Sequence, residues 1–185
     1  SAQTAIYELL ISMVKLMSPV LSFTAEEIWG FIPKGGARGD FQSVHLSQFP
    51  AVKKEWIDNE LEKRWGKILS VRSDVLKALE NARKDRLIGH SLDARVSIFC
   101  RSELKGFLDG YKEELNSIFI VSDVAIYSDK EIPGTAIKSD ETEGLFISIS
   151  QASGKKCERC WNYSETVGGN TEHPSICGRC VDNLR

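Results

Sequence analysis

The sequence predicts an α+β fold, and three observations carry that reading. Apolar residues recur at spacings of three and four through the first half of the chain. Beyond Gly89 the period shortens to strand-like alternation. Four of the five cysteines then fall at the C-terminal end, in the arrangement C-x2-C-x16-C-x2-C. The expected organisation is a helical layer over 1–89, a small α+β junction over 90–153 and a four-cysteine ribbon over 154–185.

The first helix is carried by Ile6, Leu9, Leu10, Met13 and Met17, which share one face, and it should end near Ser18 and Pro19. That face needs a partner. A second helix is expected to start at Thr24, with Glu27 closing a capping box and Phe23 and Ile28 forming a hydrophobic staple, and to run to about Ile32. Pro33 to Pro50 is rich in Gly and Ser without a sustained period, so it reads as a loop. From Lys53 to about Ile88 the positions Ile57, Leu61, Trp65, Ile68, Leu69, Val75, Leu76 and Leu79 keep helical spacing. An unbroken helix there would span roughly 50 Å, with any bend expected at Gly66 or Ser70 to Ser73. In the junction, Arg95 to Cys100 reads as a strand, Glu103 to Leu115 as a helix, Ile118 to Tyr127 as a strand or strand pair, and Leu145 to Ser150 as a strand.

Composition narrows the function classes. The net charge of −2 excludes a histone-like polycation, so any polyanion would have to meet a local patch. No apolar run reaches the length of a membrane span, and SAQTAIYELL has no secretory signature, so a cytoplasmic or organelle-matrix setting is expected. The missing initiator Met, with helical periodicity starting almost at Ser1, is expected of a segment of a longer chain.

Cys157, Cys160, Cys177 and Cys180 have the spacing of a zinc ribbon. A two-residue gap lets both thiolates of a knuckle face one ion, and two knuckles close a tetrahedral all-sulfur site with no open position, which means structure rather than catalysis. The tail has few large apolar side chains beyond Trp161, Tyr163, Ile176 and Leu184, so metal binding must supply much of its folding free energy. Two disulfides would suit a secreted domain, which nothing else here resembles, and a redox pair would need one C-x-x-C in a βαβ setting. His173 is close enough in sequence to stand in as a ligand, and Cys100 reads as a buried spectator.

Charge is segregated. Between Lys63 and Arg86 eight basic residues, beginning with Lys63, Arg64, Lys67 and Arg72, oppose three acids, for a local +5. Residues Glu103 to Glu143 carry ten acids against four lysines. The basic stretch is either a solvated helix face with internal ion pairs or a phosphate-binding surface. The tail adds Lys155, Lys156, Arg159 and Arg179 around Trp161. A ribbon holding an exposed aromatic beside cations can stack an unpaired base; alternatively the indole fills the ribbon's own small core.

KCERCWNY at Lys156 to Tyr163, with HPSICGRCVDNL at His173 to Leu184, resembles the C-terminal zinc finger of bacterial-type isoleucyl-tRNA synthetases, a finger shared with formamidopyrimidine-DNA glycosylases. SPVLSFTAEEIW at Ser18 to Trp29 resembles the helical anticodon-binding domain of the class I synthetases for Ile, Val, Leu and Met, and GHSLDARV at Gly89 to Val96 resembles the stretch that follows it in the isoleucine enzymes. The likeness runs in order along nearly the whole chain. It implies that the four cysteines hold one structural zinc ion, that Arg159 and Trp161 lead the contacts to an anticodon, and that the parent enzyme joins isoleucine to its tRNA using ATP. It also implies a monomeric parent with separate catalytic and editing domains, and it disfavours DNA as a partner. The HIGH and KMSKS signatures of that family's catalytic domain are absent; KLMSP at Lys15 to Pro19 is a superficial echo within a helix. A zinc-stabilised structural or protein-interaction module without RNA readout is the alternative expectation.

Overall fold

The computed structural model of the chain describes residues 1–184. They form two compact units, Ser1–Asp58 and the chain from Asn59 onward.

In the first unit α1 (Ala2–Met17) opens with the Ser1 hydroxyl accepting from the Thr4 N–H and ends at Ser18, as its Pro19 stop requires. α2 (Ser22–Phe31) packs against it. The buried stripe of α1 is Ile11 and Val14, with Tyr7 packed alongside. This corrects the expected face, since Ile6, Leu9, Leu10 and Met13 are exposed. The helix is apolar on more than one side, and its periodicity alone could not say which side α2 would cover. The capping box also fails: α2 starts two residues before Thr24, its N-cap position is Leu21 with no side-chain bond, and Phe23 is exposed. The tight turn out of α1, where Leu21 N–H reaches the Met17 carbonyl and the Ser22 hydroxyl the Ser18 carbonyl, starts α2 early. The glutamate of α2 with a structural bond is Glu26, and it serves the following loop rather than the helix start. Its Oε2 accepts from the Ser43 hydroxyl at 2.8 Å and the Val44 N–H at 3.0 Å, pinning the irregular loop over the buried Trp29.

The second unit begins with α3 (Asn59–Lys84), followed by β1 (Ala94–Cys100), α4 (Ser102–Asp109), α5 (Lys112–Phe119), β2 (Asp123–Ser128), β3 (Ile137–Lys138) and β4 (Leu145–Gln151). The sheet runs β2-β1-β4-β3. β1 and β2 are parallel, with α4 and α5 as the crossover, and β4 lies antiparallel to both β1 and β3. Val71, Val75, Ala78, Leu79 and Ala82 of α3 are buried in the same core as Val96, Ile98, Leu108, Leu115, Phe119, Leu145 and Ile147. α3 is therefore the helical layer on this sheet and belongs to the compact unit that begins at Asn59.

Two expected elements differ. Glu103 to Leu115 is not one helix but all of α4 beyond its first residue, a break at Gly110 and Tyr111, and the first half of α5. The apolar run from Ile118 is not a strand at its start: Phe119 ends α5 buried, Ile120 turns left-handed at φ +59°, and β2 begins at Asp123. A short apolar run has the same composition in a buried helix end as in a strand.

Candidate metal centre and nucleic-acid interface

After β4 the chain passes through Ala152 to Gly154 into β5 (Lys155–Lys156), which pairs antiparallel with β6 (Tyr163–Ser164); α6 (Gly178–Asp182) follows the second pair of cysteines. Gly154 is required here. Its φ is +87°, and a Cβ would lie 2.3 Å from the Ser164 carbonyl carbon and 2.5 Å from the Glu165 nitrogen.

The two knuckles converge. Cys157 Sγ lies 3.8 Å from Cys180 Sγ, Cys160 Sγ lies 3.8 Å from Cys177 Sγ, and all four sulfurs are within 4.8 Å of one another. A tetrahedron with Zn–S bonds of about 2.3 Å has sulfur–sulfur edges of about 3.8 Å, so the donor set fits one zinc ion. The spacing excludes disulfides, and all five cysteines are free. His173 is exposed on the intervening loop and is not part of the cluster. Cys100 is fully buried in β1, where burial pushes its thiol up to about 11.

The surroundings are built for thiolates. Burial pushes the Cys157 thiol up, but backbone N–H groups of Cys160, Cys177 and Arg159 more than offset it and hold it at about 6. The Cys177 N–H donates to Cys157 Sγ at 3.3 Å. Burial raises Cys177 and pushes Cys180 up to about 12 in the absence of metal. The Arg179 guanidinium lies beside the Cys160 sulfur, which holds its proton more firmly. Arg159 Nη1 donates to the Cys180 carbonyl at 2.8 Å, tying the first knuckle to the second. Four thiolates around a divalent ion leave an excess of negative charge, and both arginines offset it.

Trp161 is not the ribbon's filling. The indole is 59% exposed, while Val167 and Ile176 pack against the cysteines. Its φ is +66°, a left-handed conformation that is a true outlier for a bulky side chain. The knuckle imposes it: Trp161 N–H donates to the Cys157 carbonyl at 2.8 Å and Cys157 N–H to the Asn162 carbonyl at 2.9 Å. Lys156 Nζ stands 5.7 Å from the ring centroid, and Lys156, Cys157, Glu158 and Trp161 line one shallow cleft. Lys155 is exposed on β5.

On α3 the basic residues are largely engaged. Lys63 pairs with Glu60 at 2.8 Å and Lys67 with Glu103 at 3.6 Å, while Lys77 meets Glu141 and Arg83 meets Glu80. Arg64 Nε reaches the Glu60 carbonyl, and Arg72 Nε donates to the Ile118 carbonyl at 2.9 Å, closing the end of α5. Lys63, Arg64 and Lys67 remain exposed, whereas Arg72 is half-buried.

The ribbon is moored through Ser122 and Ala152, to which the sequence assigned no role, and through Leu92, Asp93 and Tyr163, which lie in the stretches noted above. Ala152 N–H donates to the Asp93 carbonyl at 2.8 Å. The Ser122 hydroxyl donates to the Leu92 carbonyl at 2.5 Å and accepts from the Tyr163 N–H at 2.7 Å. Ser122 has no sequence signal, because a lone Ser between a helix and a strand is too common to mark a role.

A helical layer followed by a small mixed sheet and a closed four-cysteine ribbon defines a metal-stabilised domain of mixed helix and sheet, and comparison with known families says which one. Residues 1–98 match the anticodon-binding domain of tRNA ligase, and the chain belongs to that family. Residues 154–183 match the zinc finger found in FPG and IleRS, so the cluster is a structural zinc site. Among named relatives, the chain is similar to the isoleucine–tRNA ligase of Geobacter sulfurreducens, 48% identical over 98% of this chain and 19% of the relative. It is also similar to those of Caldanaerobacter subterraneus, 46% identical over 100% of the chain and 20% of the relative, and Desulfitobacterium hafniense, 44% over 98% and 19%. The chain thus spans about a fifth of the length of the curated relatives it matches. No described helix is long and apolar enough to cross a membrane.

Proposed function

We propose that this chain is the tRNA-binding portion of an isoleucyl-tRNA synthetase, recognising the anticodon stem-loop of isoleucine tRNA so that the catalytic and editing domains of a cytoplasmic, monomeric parent can attach isoleucine at the expense of ATP. The chain itself contributes binding, not bond-making. The observation that carries the reading is the exposed Trp161, held in a left-handed conformation on a zinc ribbon with Lys156 over its ring. An indole so presented offers a face to an unpaired base, and stacking on such a platform is a general mode of single-strand recognition. Lys156 stands over its ring, Lys155, Arg159 and Arg179 of the same ribbon are the proposed phosphate partners, and Lys63, Arg64, Lys67 and Arg72 of α3 are the second proposed cationic set.

The engagement of Arg159 with Cys180 and of Arg179 with Cys160 favours a second reading, in which the ribbon is a zinc-stabilised brace without RNA contact. Binding of the zinc-loaded chain to the anticodon stem-loop separates the two. Trp161→Ala with zinc retained is expected to weaken binding by roughly tenfold, within the usual range for one base stack. Unchanged affinity would leave only the brace.

A further inference from the structure

The GHSLDARV stretch and the loop before β2 have no part in zinc binding, yet they hold the ribbon. The turn Gly89 to Asp93 is internally locked: Asp93 Oδ2 accepts from the N–H groups of Gly89 at 3.1 Å and His90 at 2.7 Å, and His90 Nδ1 accepts from the Leu92 N–H at 3.2 Å. This lock aims the Leu92 and Asp93 carbonyls at their donors. Asp93 takes the Ala152 N–H, at the chain's entry to the ribbon. Leu92 takes the Ser122 hydroxyl, which in turn receives the Tyr163 N–H. Every polar group of Ser122 is used, since its N–H donates to the Ala94 carbonyl at 3.2 Å and its own carbonyl accepts from Asn116 Nδ2 at 3.4 Å. A single half-buried hydroxyl therefore joins the starts of β1 and β2 to β6, two residues from Trp161.

We propose that Ser122, backed by the Gly89 to Asp93 turn, is the positioning residue that fixes the ribbon on the sheet and so sets the direction of the Trp161 ring for base readout. The proposal rests on the reading of Trp161 as the stacking side chain. The metal holds the ribbon together internally, whereas this relay fixes where the ribbon faces. Loss of the relay therefore separates two properties that unfolding would remove together: zinc stays bound, and discrimination between loop bases falls.

The test compares Ser122→Thr with Ser122→Val, which share a shape and differ in the hydroxyl. Zinc content is measured, together with binding to the anticodon stem-loop of an isoleucine tRNA carrying either its natural loop or single replaced loop bases. The threonine variant is expected to keep the native preference. The valine variant is expected to bind zinc and lose about tenfold of that preference, as loss of the hydroxyl's two hydrogen bonds implies. Should the valine fail to fold, Ser122→Ala supplies the same comparison without added bulk. A zinc-loaded variant lacking the hydroxyl that discriminates as the native chain does overturns the proposal. So does equal loss in the threonine and valine variants, because the hydroxyl is then not what matters. If Trp161→Ala binds every loop as the native chain does, the stacking reading fails and the positioning role fails with it.

Discussion

The Tyr163 N–H donates to the Ser122 hydroxyl at 2.7 Å across 41 positions of chain, the contact through which the ribbon's second strand meets the edge of the sheet. The only other described backbone anchor to the turn before β1 is Ala152 to Asp93. The ribbon's placement thus depends on very few bonds, while its internal structure depends on a metal.

Gly154 is the point where those two dependences meet. A side chain there must displace the backbone of Ser164 and Glu165, so Gly154→Ala is expected to open the β5–β6 pairing at a cost of about 2 kcal/mol or more. Competition with a chromophoric chelator should show weakened zinc retention, and hydrogen exchange should quicken at the Tyr163 amide. Gly66→Ala is the opposite case. It lies within α3 with open space around its Cβ position, and a gain of roughly 0.5–1 kcal/mol is expected in thermal unfolding.

Trp161 stores backbone strain. Replacement by Gly, which adopts a positive φ freely, is expected to leave the ribbon as stable or up to about 1 kcal/mol more stable, while abolishing base stacking. Zinc affinity and RNA affinity should therefore move in opposite directions or only one should move. A Trp161→Gly chain that loses zinc would show instead that the indole supports the ribbon.

Zinc binding should be coupled to proton release in a definite sense. Without metal, Cys177 and Cys180 are raised and hold their protons at neutral pH, whereas Cys157, at about 6, is already largely ionised. Zinc binding at pH 7 then expels protons from Cys177 and Cys180, so affinity rises with pH above neutrality and acidification releases the metal. Calorimetric titration in buffers of different ionisation enthalpy counts these protons directly. A pH-independent affinity between pH 6 and 8 would contradict the arrangement.

In the first unit the two bonds accepted by Glu26 hold the loop over Trp29. Glu26→Ala leaves the Ser43 O–H and the Val44 N–H without an acceptor, and a loss of about 1–3 kcal/mol is expected in denaturant unfolding.

The metal site was legible because four thiols at fixed spacing admit few chemical explanations. The sheet strands at Arg95 to Cys100 and Leu145 to Ser150 were legible because buried and part-buried positions alternate along most of each. Elsewhere local pattern and tertiary demand diverged. The buried side of α1 was set by where α2 lies, and Thr24 was overruled by the turn at Ser18 to Leu21. Phe119 and Ile120 follow the closing of α5, which no local propensity encodes. The exposure of Trp161 was undecidable because a ribbon needs some apolar filling; the structure gives that place to Val167 and Ile176. Basic residues counted along α3 left open a face with internal ion pairs or a phosphate-binding surface; local pairs do form with Glu60 and Glu80, but the partners of Lys67 and Lys77, Glu103 and Glu141, come from distant sequence.

The central claim is tested most directly by titrating the zinc-loaded chain with the anticodon stem-loop of isoleucine tRNA, with the same hairpin carrying an altered anticodon, and with duplex DNA, across a salt series. The expected result is preference for the natural loop, weakened by salt, absent for duplex DNA and reduced by Trp161→Ala with zinc still bound. Equal or absent binding to all three, with zinc in place, would contradict base readout and leave the ribbon as a brace for the sheet.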